Sequence, residues 1–248
     1  MLCAGDARKW GQSPIDIDEQ NAVPIKFPAL IMSGHWSNDG KAKMQNTGKT
    51  VEITLQGKKA PATIHGGPLA TDVYELSEVV FRWSSSSCKG AEHTLNGTWF
   101  TMEAQAIHFN KRYETIENCF NKNDGLAICS YFLQAYQVPA WDEHPSFSKI
   151  TDDLHKITQC DSWTRLPPNC LCWMKQACQT PGYYTYLGST TTCPFHECVT
   201  WIVFPEPVRI SENQAQMFRM LCSKQGTCIK DNYREVQKLN GRVVYYVN

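Results

Sequence analysis

Across residues 51–55 apolar and polar side chains alternate without a break, as Val51-Glu52-Ile53-Thr54-Leu55. A period of two marks a strand with one buried face and one wetter face. Similar short runs recur along the chain. Val79-Val80-Phe81-Arg82-Trp83 reads as a strand, and residues 99–109 as a long, mixed, central one. Residues 126–136 and 198–204 are further apolar strand candidates. Proline and glycine are scattered between these runs, as turns require. Helical signals are few. Ile150, Leu154 and Ile157 recur at helical spacing within residues 148–158. Ser211 heads a second segment, residues 211–221, whose Ala215, Phe218 and Leu221 share one side. Its hydroxyl is the expected N-cap. With no repeat, linker or low-complexity tract, the chain reads as mainly β (α+β), one domain over 1–248, with a few short helices.

A chain of 248 residues can bury a sizeable core in one domain. Hydrophobic residues at 42% and charged residues at 19% argue for a folded globule rather than disorder. The 24 basic and 24 acidic residues cancel, so nothing global argues for a nucleic-acid partner or an anionic membrane surface. No apolar run approaches the ~18 residues that a membrane span needs. Residues 1–6 carry no apolar core of a signal peptide.

Twelve cysteines are many for a cytoplasmic protein, and the number is even. Both facts point to disulfides and an oxidising compartment, so an extracellular or surface-exposed location is the first expectation. The absent signal peptide makes a cytoplasmic location the alternative. Asn96-Gly97-Thr98 fits a glycosylation triplet. Cys222 and Cys228 flank a turn-like Ser-Lys-Gln-Gly-Thr loop and are candidates to pair with each other. Cys170-Leu171-Cys172, near Cys160 and Cys178, lacks the Cys-x-x-Cys spacing of common zinc sites and reads as disulfides or buried thiols. Cys198, inside a strand, reads as a buried thiol.

Three stretches are more distinctive than any of this. They are Gln12-Ser13-Pro14-Ile15-Asp16-Ile17; Gly90-Ala91-Glu92-His93-Thr94, followed by Glu103 and Ile107-His108-Phe109-Asn110; and Tyr186-Leu187-Gly188-Ser189-Thr190-Thr191-Thr192, running on to Glu197-Cys198-Val199-Thr200-Trp201. Gly66-Gly67-Pro68-Leu69 and Leu239-Asn240-Gly241-Arg242 add smaller matches. In order and spacing the chain resembles the α-class carbonic anhydrases from about Gln12 to Arg242. The resemblance implies a large, mostly antiparallel central sheet bearing an active-site cone. In that family a zinc ion is held by three histidines, two of them two residues apart on one strand and so on the same face.

Alignment on Phe81, Trp83, Glu103 and His108-Phe109-Asn110 puts the ligand positions at Val80, Arg82 and Gln105. Valine offers no donor atom, arginine is a permanent cation, and glutamine is a poor zinc ligand. No His-x-His pair occurs among the seven histidines. The resemblance therefore implies a protein of the acatalytic carbonic anhydrase-related type, with no metal and no cofactor. The supporting positions are retained. Thr191 and Glu92 match the pair that orients the zinc hydroxide, with Thr192 beside them; as a structural remnant they would bond to each other. Glu103 matches the carboxylate behind a ligand histidine. Trp201 matches a wall of the CO2 pocket, and Lys49 takes the proton-shuttle position. Thr190 and Cys193 depart from the pattern. Cys3 and Cys193 lie near the regions that a disulfide joins in secreted relatives, and Phe195 and His196 are expected at the cone rim. Arg82 is expected to put its charge where zinc would have sat and to pair with Glu103 or Glu92, since a carboxylate buried without a positive partner is costly.

The expected function is then that of a chain that is not an enzyme: a binding or structural module with no CO2 hydration. Its partner would be a protein or larger assembly. Glycosaminoglycan or another anionic surface is a further partner class, as in poxvirus relatives, with Lys49, Lys58 and Lys59 as contacts. The alternative is a carbonate dehydratase or esterase-like enzyme using unexpected ligands.

Overall fold

A computed structural model describes residues 10–248. In chain order the strands are β1 (Asp16–Ile17), β2 (Val23–Ile25), β3 (Ile31–Ser33), β4 (Lys41–Asn46), β5 (Val51–Gln56), β6 (Thr63–His65) and β7 (Tyr74–Trp83). They continue with β8 (Thr94–Leu95), β9 (Met102–Asn110), β10 (Leu126–Tyr136), β11 (Trp163–Leu166), β12 (Tyr183–Gly188), β13 (Val199–Ser211) and β14 (Tyr245–Val247). The helices are α1 (Pro145–Thr151), α2 (Met174–Gln179) and α3 (Glu212–Arg219).

Among the described residues twelve strands join in one sheet, in the order β11-β4-β5-β7-β9-β10-β13-β12-β14-β2, with β6 paired to β7 and β3 to β6. β10–β13 and β14–β2 run parallel, and the other neighbours in this sheet are antiparallel. The mainly β fold and its large, mostly antiparallel sheet are therefore as the sequence predicts. Among the described residues no helix is long and apolar enough to cross a membrane.

Strand periodicity sorts the side chains onto two faces. On β7, Val79, Phe81 and Trp83 join the larger core, as do Met102, Ala104 and Ala106 of β9 and Cys129, Tyr131 and Leu133 of β10. Phe147 of α1, Phe218 of α3 and Trp173 close that core over Phe81. The intervening residues, Val80, Arg82, Glu103, Gln105 and Ser130, belong to the opposite face. A smaller apolar cluster built on Ile15, Tyr186, Val199 and Trp201 lies on that side. The period-two rule thus gathers a polar set on the sheet where three central strands meet.

The local differences from expectation have local causes. The expected helix at 148–158 is split into α1 and a 3-10 turn at Leu154–Ile157, with Asp152 and Asp153 at the break. Short acidic side chains compete with helix backbone bonding. Even so, Ile150, Leu154 and Ile157 all reach the larger core. β9 starts at Met102 rather than at residue 99, and β13 runs on to Ser211. Ser211 caps α3 as expected. Its hydroxyl accepts from Gln214 N at 2.9 Å, and its own N–H donates to Gln214 Oε1 at 3.1 Å.

The disulfide expectation is not met. All eleven described cysteines stand as free thiols. Cys119, Cys129, Cys170 and Cys198 are buried within the two apolar clusters. Cys222 and Cys228 face each other across a β-bridge yet remain thiols. Cys3, and with it the Cys3–Cys193 pairing, lies outside the described residues.

Candidate functional site: the floor of the cone

β7, β9 and β10 set the floor in register. Val80 lies opposite Gln105, Gln105 opposite Ser130, and Arg82 opposite Glu103. Arg82, Glu92, Glu103, Gln105 and Thr191 are all buried. The three ligand positions implied by the resemblance are therefore neighbours in one patch, and they are filled by an aliphatic group, a guanidinium and an amide.

Arg82 pairs with Glu92, one of its two expected partners, Nε lying 3.2 Å from Glu92 Oε1. The Nε–H is not aimed along that line and makes no hydrogen bond. Nη2 donates to Thr191 Oγ1 at 3.4 Å. Glu92 is held from three sides, since Gln105 Nε2 donates to its Oε2 at 2.6 Å and Arg234 N to its Oε1 at 2.9 Å. Thr191 does not bond to Glu92. Its hydroxyl donates to Gln105 Oε1 at 3.5 Å. The expected Thr191–Glu92 pair is therefore replaced by a chain that runs through Arg82 and Gln105.

Glu103 anchors the layer beneath. Its Oε2 accepts the backbone N–H groups of Glu92 and His93, each at 2.8 Å. Its Oε1 takes Ser130 Oγ at 2.8 Å, Gln105 Nε2 at 3.0 Å and the His93 ring nitrogen Nδ1 at 2.9 Å. Burial alone would raise this carboxyl, but the charge and hydrogen bonds of His93, with the bond from Gln105, outweigh it and hold Glu103 down at about 2. His93 passes the network on to Tyr186 Oη at 2.7 Å, and Tyr186 donates to Ser13 Oγ at 2.9 Å. Glu103 thus orients His93, Gln105 and the Glu92 backbone, and every described partner of its carboxylate is a donor.

Two carboxyls absent from the sequence reading belong to this region. Glu78 precedes Val80 and Arg82 on β7, and Glu52 of β5 lies opposite Val80. Burial, then the charge of Glu52 and a hydrogen bond with it, push the Glu78 carboxyl up to about 7, with Arg82 opposing. The signal was the spacing of two that relates residues 78, 80 and 82. The β-bulge between Leu76 and Glu78 obscured where that run begins.

The remaining candidates are dispersed. Trp201 is buried against His93, ring centroids 4.6 Å apart, and donates from Nε1 to Ser189 O at 3.0 Å. Thr192 and Cys193 are exposed, and Thr190 is half-buried and bonds to Thr192 O at 3.1 Å. Phe195 lies under the Arg234 guanidinium, 3.8 Å from its carbon, and His196 stacks on Phe120. Lys49 and Lys59 are exposed. Lys58 is instead tied to the Ser37 and Asp39 carbonyls at 3.0 and 3.2 Å, and so is committed to its own loops.

The donor set does not fit the zinc ion that the fold implies. Val80 has no donor, Arg82 is cationic, and Gln105 already spends its amide on Glu92, Glu103 and Thr191. Among the described residues no group of three or more His, Cys, Asp or Glu side chains could hold a metal.

The profile of the eukaryotic-type carbonic anhydrase family matches residues 3–248. Human carbonic anhydrase 7 is 35% identical over 243 residues, covering 94% of this chain and 87% of its own length. The mouse protein of the same name is 34% identical over an equal span. Human carbonic anhydrase 3 is 30% identical over 248 residues, 96% of this chain and 90% of its own. These relatives correct the expectation that the chain is not an enzyme. They are named for an enzyme, and they match it nearly end to end. The chain belongs to the eukaryotic-type carbonic anhydrase family.

Proposed function

We propose that this carbonic anhydrase-family protein works as a binding module whose cone floor recognises its ligand through the Arg82 guanidinium rather than through a histidine-held zinc ion. One observation carries the reading: the Arg82–Glu92 ion pair, 3.2 Å long, occupies the patch where Val80 and Gln105 also stand. A guanidinium carries five donors in a fixed fork, suited to carboxylate and other oxyanion groups. Among the described residues Arg82 makes one hydrogen bond, to Thr191. The rest of the fork is suited to an anionic group presented by a protein partner or a larger assembly.

Any CO2 hydration by the purified chain is then independent of zinc. The assay that tests this measures hydration with added zinc and with a strong chelator. The reading predicts one rate under both conditions. A rate that rises with zinc and collapses on chelation would overturn it.

A further inference from the structure

Cys222 and Cys228 form a built pair rather than two unrelated thiols. They are partners in an antiparallel β-bridge. The flanking residues, not the cysteines, make the ladder bonds: Ser223 N donates to Thr227 O at 2.7 Å and Ile229 N to Leu221 O at 2.8 Å. That pattern defines a non-hydrogen-bonded pair, in which both side chains leave the same face from Cα atoms about 4.5 Å apart. This spacing falls within the ~4.4–6.8 Å range of disulfides. The connecting turn is closed by Gly226 N on Ser223 O at 2.9 Å, with Gly226 at φ +77°. Cys228 is exposed and Cys222 half-buried, so a soluble oxidant reaches the pair.

The pair is also wired to the turn that follows β4. Asn46, fully buried, donates from Nδ2 to Cys222 O at 3.0 Å and to Thr158 O at 3.2 Å. Its Oδ1 accepts from Gly48 N at 2.8 Å, next to Lys49. One amide side chain therefore spans from the cysteine loop to the 47–50 turn.

We propose that Cys222 and Cys228 are a reversible dithiol–disulfide site whose state is felt at the Gly48–Lys49 turn. With glutathione disulfide as oxidant, the Cys228 thiolate attacks one glutathione sulfur, forming a mixed disulfide and releasing one glutathione. The Cys222 thiolate then attacks the Cys228 sulfur and releases the second. Two protein thiols lose two electrons and two protons, and one glutathione disulfide becomes two glutathiones.

The experiment incubates the full chain in glutathione buffers of rising oxidation and reads intact mass, peptide masses and alkylation. Cys160 is the natural competitor. Its Sγ and Lys224 N both lie against Gly48, since a Cβ built there would stand 2.6 and 3.2 Å from them. The proposal predicts loss of two hydrogens, protection of Cys222 and Cys228 together, and unchanged behaviour in Cys160→Ser. In Cys222→Ser the reaction stops as a glutathione adduct on Cys228. Amide resonances of Gly48 and Lys49 shift on oxidation of the wild type and stay put in Cys222→Ser. A wild type that stays reduced, stops at the adduct, or pairs through Cys160 overturns the site. Unmoved Gly48 and Lys49 resonances overturn the coupling.

Discussion

Arg82 Nε stands 3.2 Å from Glu92 Oε1, and both side chains are almost wholly buried. Two opposite charges in low dielectric hold each other in place, and removing one leaves the other without compensation. Arg82→Ala should therefore destabilise the fold by about 3–5 kcal/mol in chemical denaturation. The double variant Arg82→Met/Glu92→Gln should recover most of that loss. An unchanged midpoint for Arg82→Ala would remove the pair from the account.

The Glu78 carboxyl sits at about 7 against an ordinary 4.5, raised by burial and then by Glu52. The unfolded chain gives up this proton first, so between those values the native state holds more protons. Stability from this group therefore falls as pH rises from about 4.5 through 7. Glu78→Gln should flatten the slope and gain about 2–3 kcal/mol over wild type at pH 8. Denaturation at pH 5 and pH 8 for both proteins checks it; parallel curves would contradict it.

His35 and His108 give the opposite slope. Their Nε2 atoms are 2.9 Å apart and both rings are buried. Burial, then the backbone at Ser33 opposing and the charge of Lys58 assisting, leaves His35 at about 4, down from 6.5. Burial and then His35 itself push His108 well below its ordinary 6.5. Here the unfolded chain binds protons first on acidification. The stability is complete above pH 6.5 and is lost as pH falls toward 4. The loss should reach about 3 kcal/mol for His35 alone and vanish in His35→Gln/His108→Gln. The window overlaps that of Glu78, so stability curves of the variants, not of the wild type alone, separate the two.

Ser211 closes the capping box of α3 with Gln214. Ser211→Ala should cost about 1 kcal/mol and Ser211→Asn much less, measured as shifts in melting temperature. Equal losses for the two would show that packing rather than capping holds the helix start.

Much of this was legible in the residues. Strand period alone placed Val80 and Arg82 on one face, and the Ser211 cap followed from residue type. The resemblance marked Glu103 and Gln105 as neighbours of that face, and the register confirms it. What stayed hidden needed three-dimensional partners. Whether Arg82 chose Glu92 or Glu103 depended on His93, seven residues short of Phe100, folding back to claim Glu103. Glu52 and Glu78 are far apart in sequence and meet only across β5 and β7. The twelve cysteines suggested disulfides by number, yet burial sets Cys119, Cys129, Cys170 and Cys198 apart in two separate apolar clusters. That Cys222 and Cys228 face each other, by contrast, was legible from the turn-like loop between them.

With Val80, Arg82 and Gln105 in place of three histidines, the cone-floor patch should carry no zinc, and elemental analysis of the purified chain reads this out. Far less than one zinc per chain is expected after dialysis against zinc buffer, and stoichiometric zinc only when histidine is restored at all three positions together. One zinc per wild-type chain, retained through dialysis, would contradict that expectation.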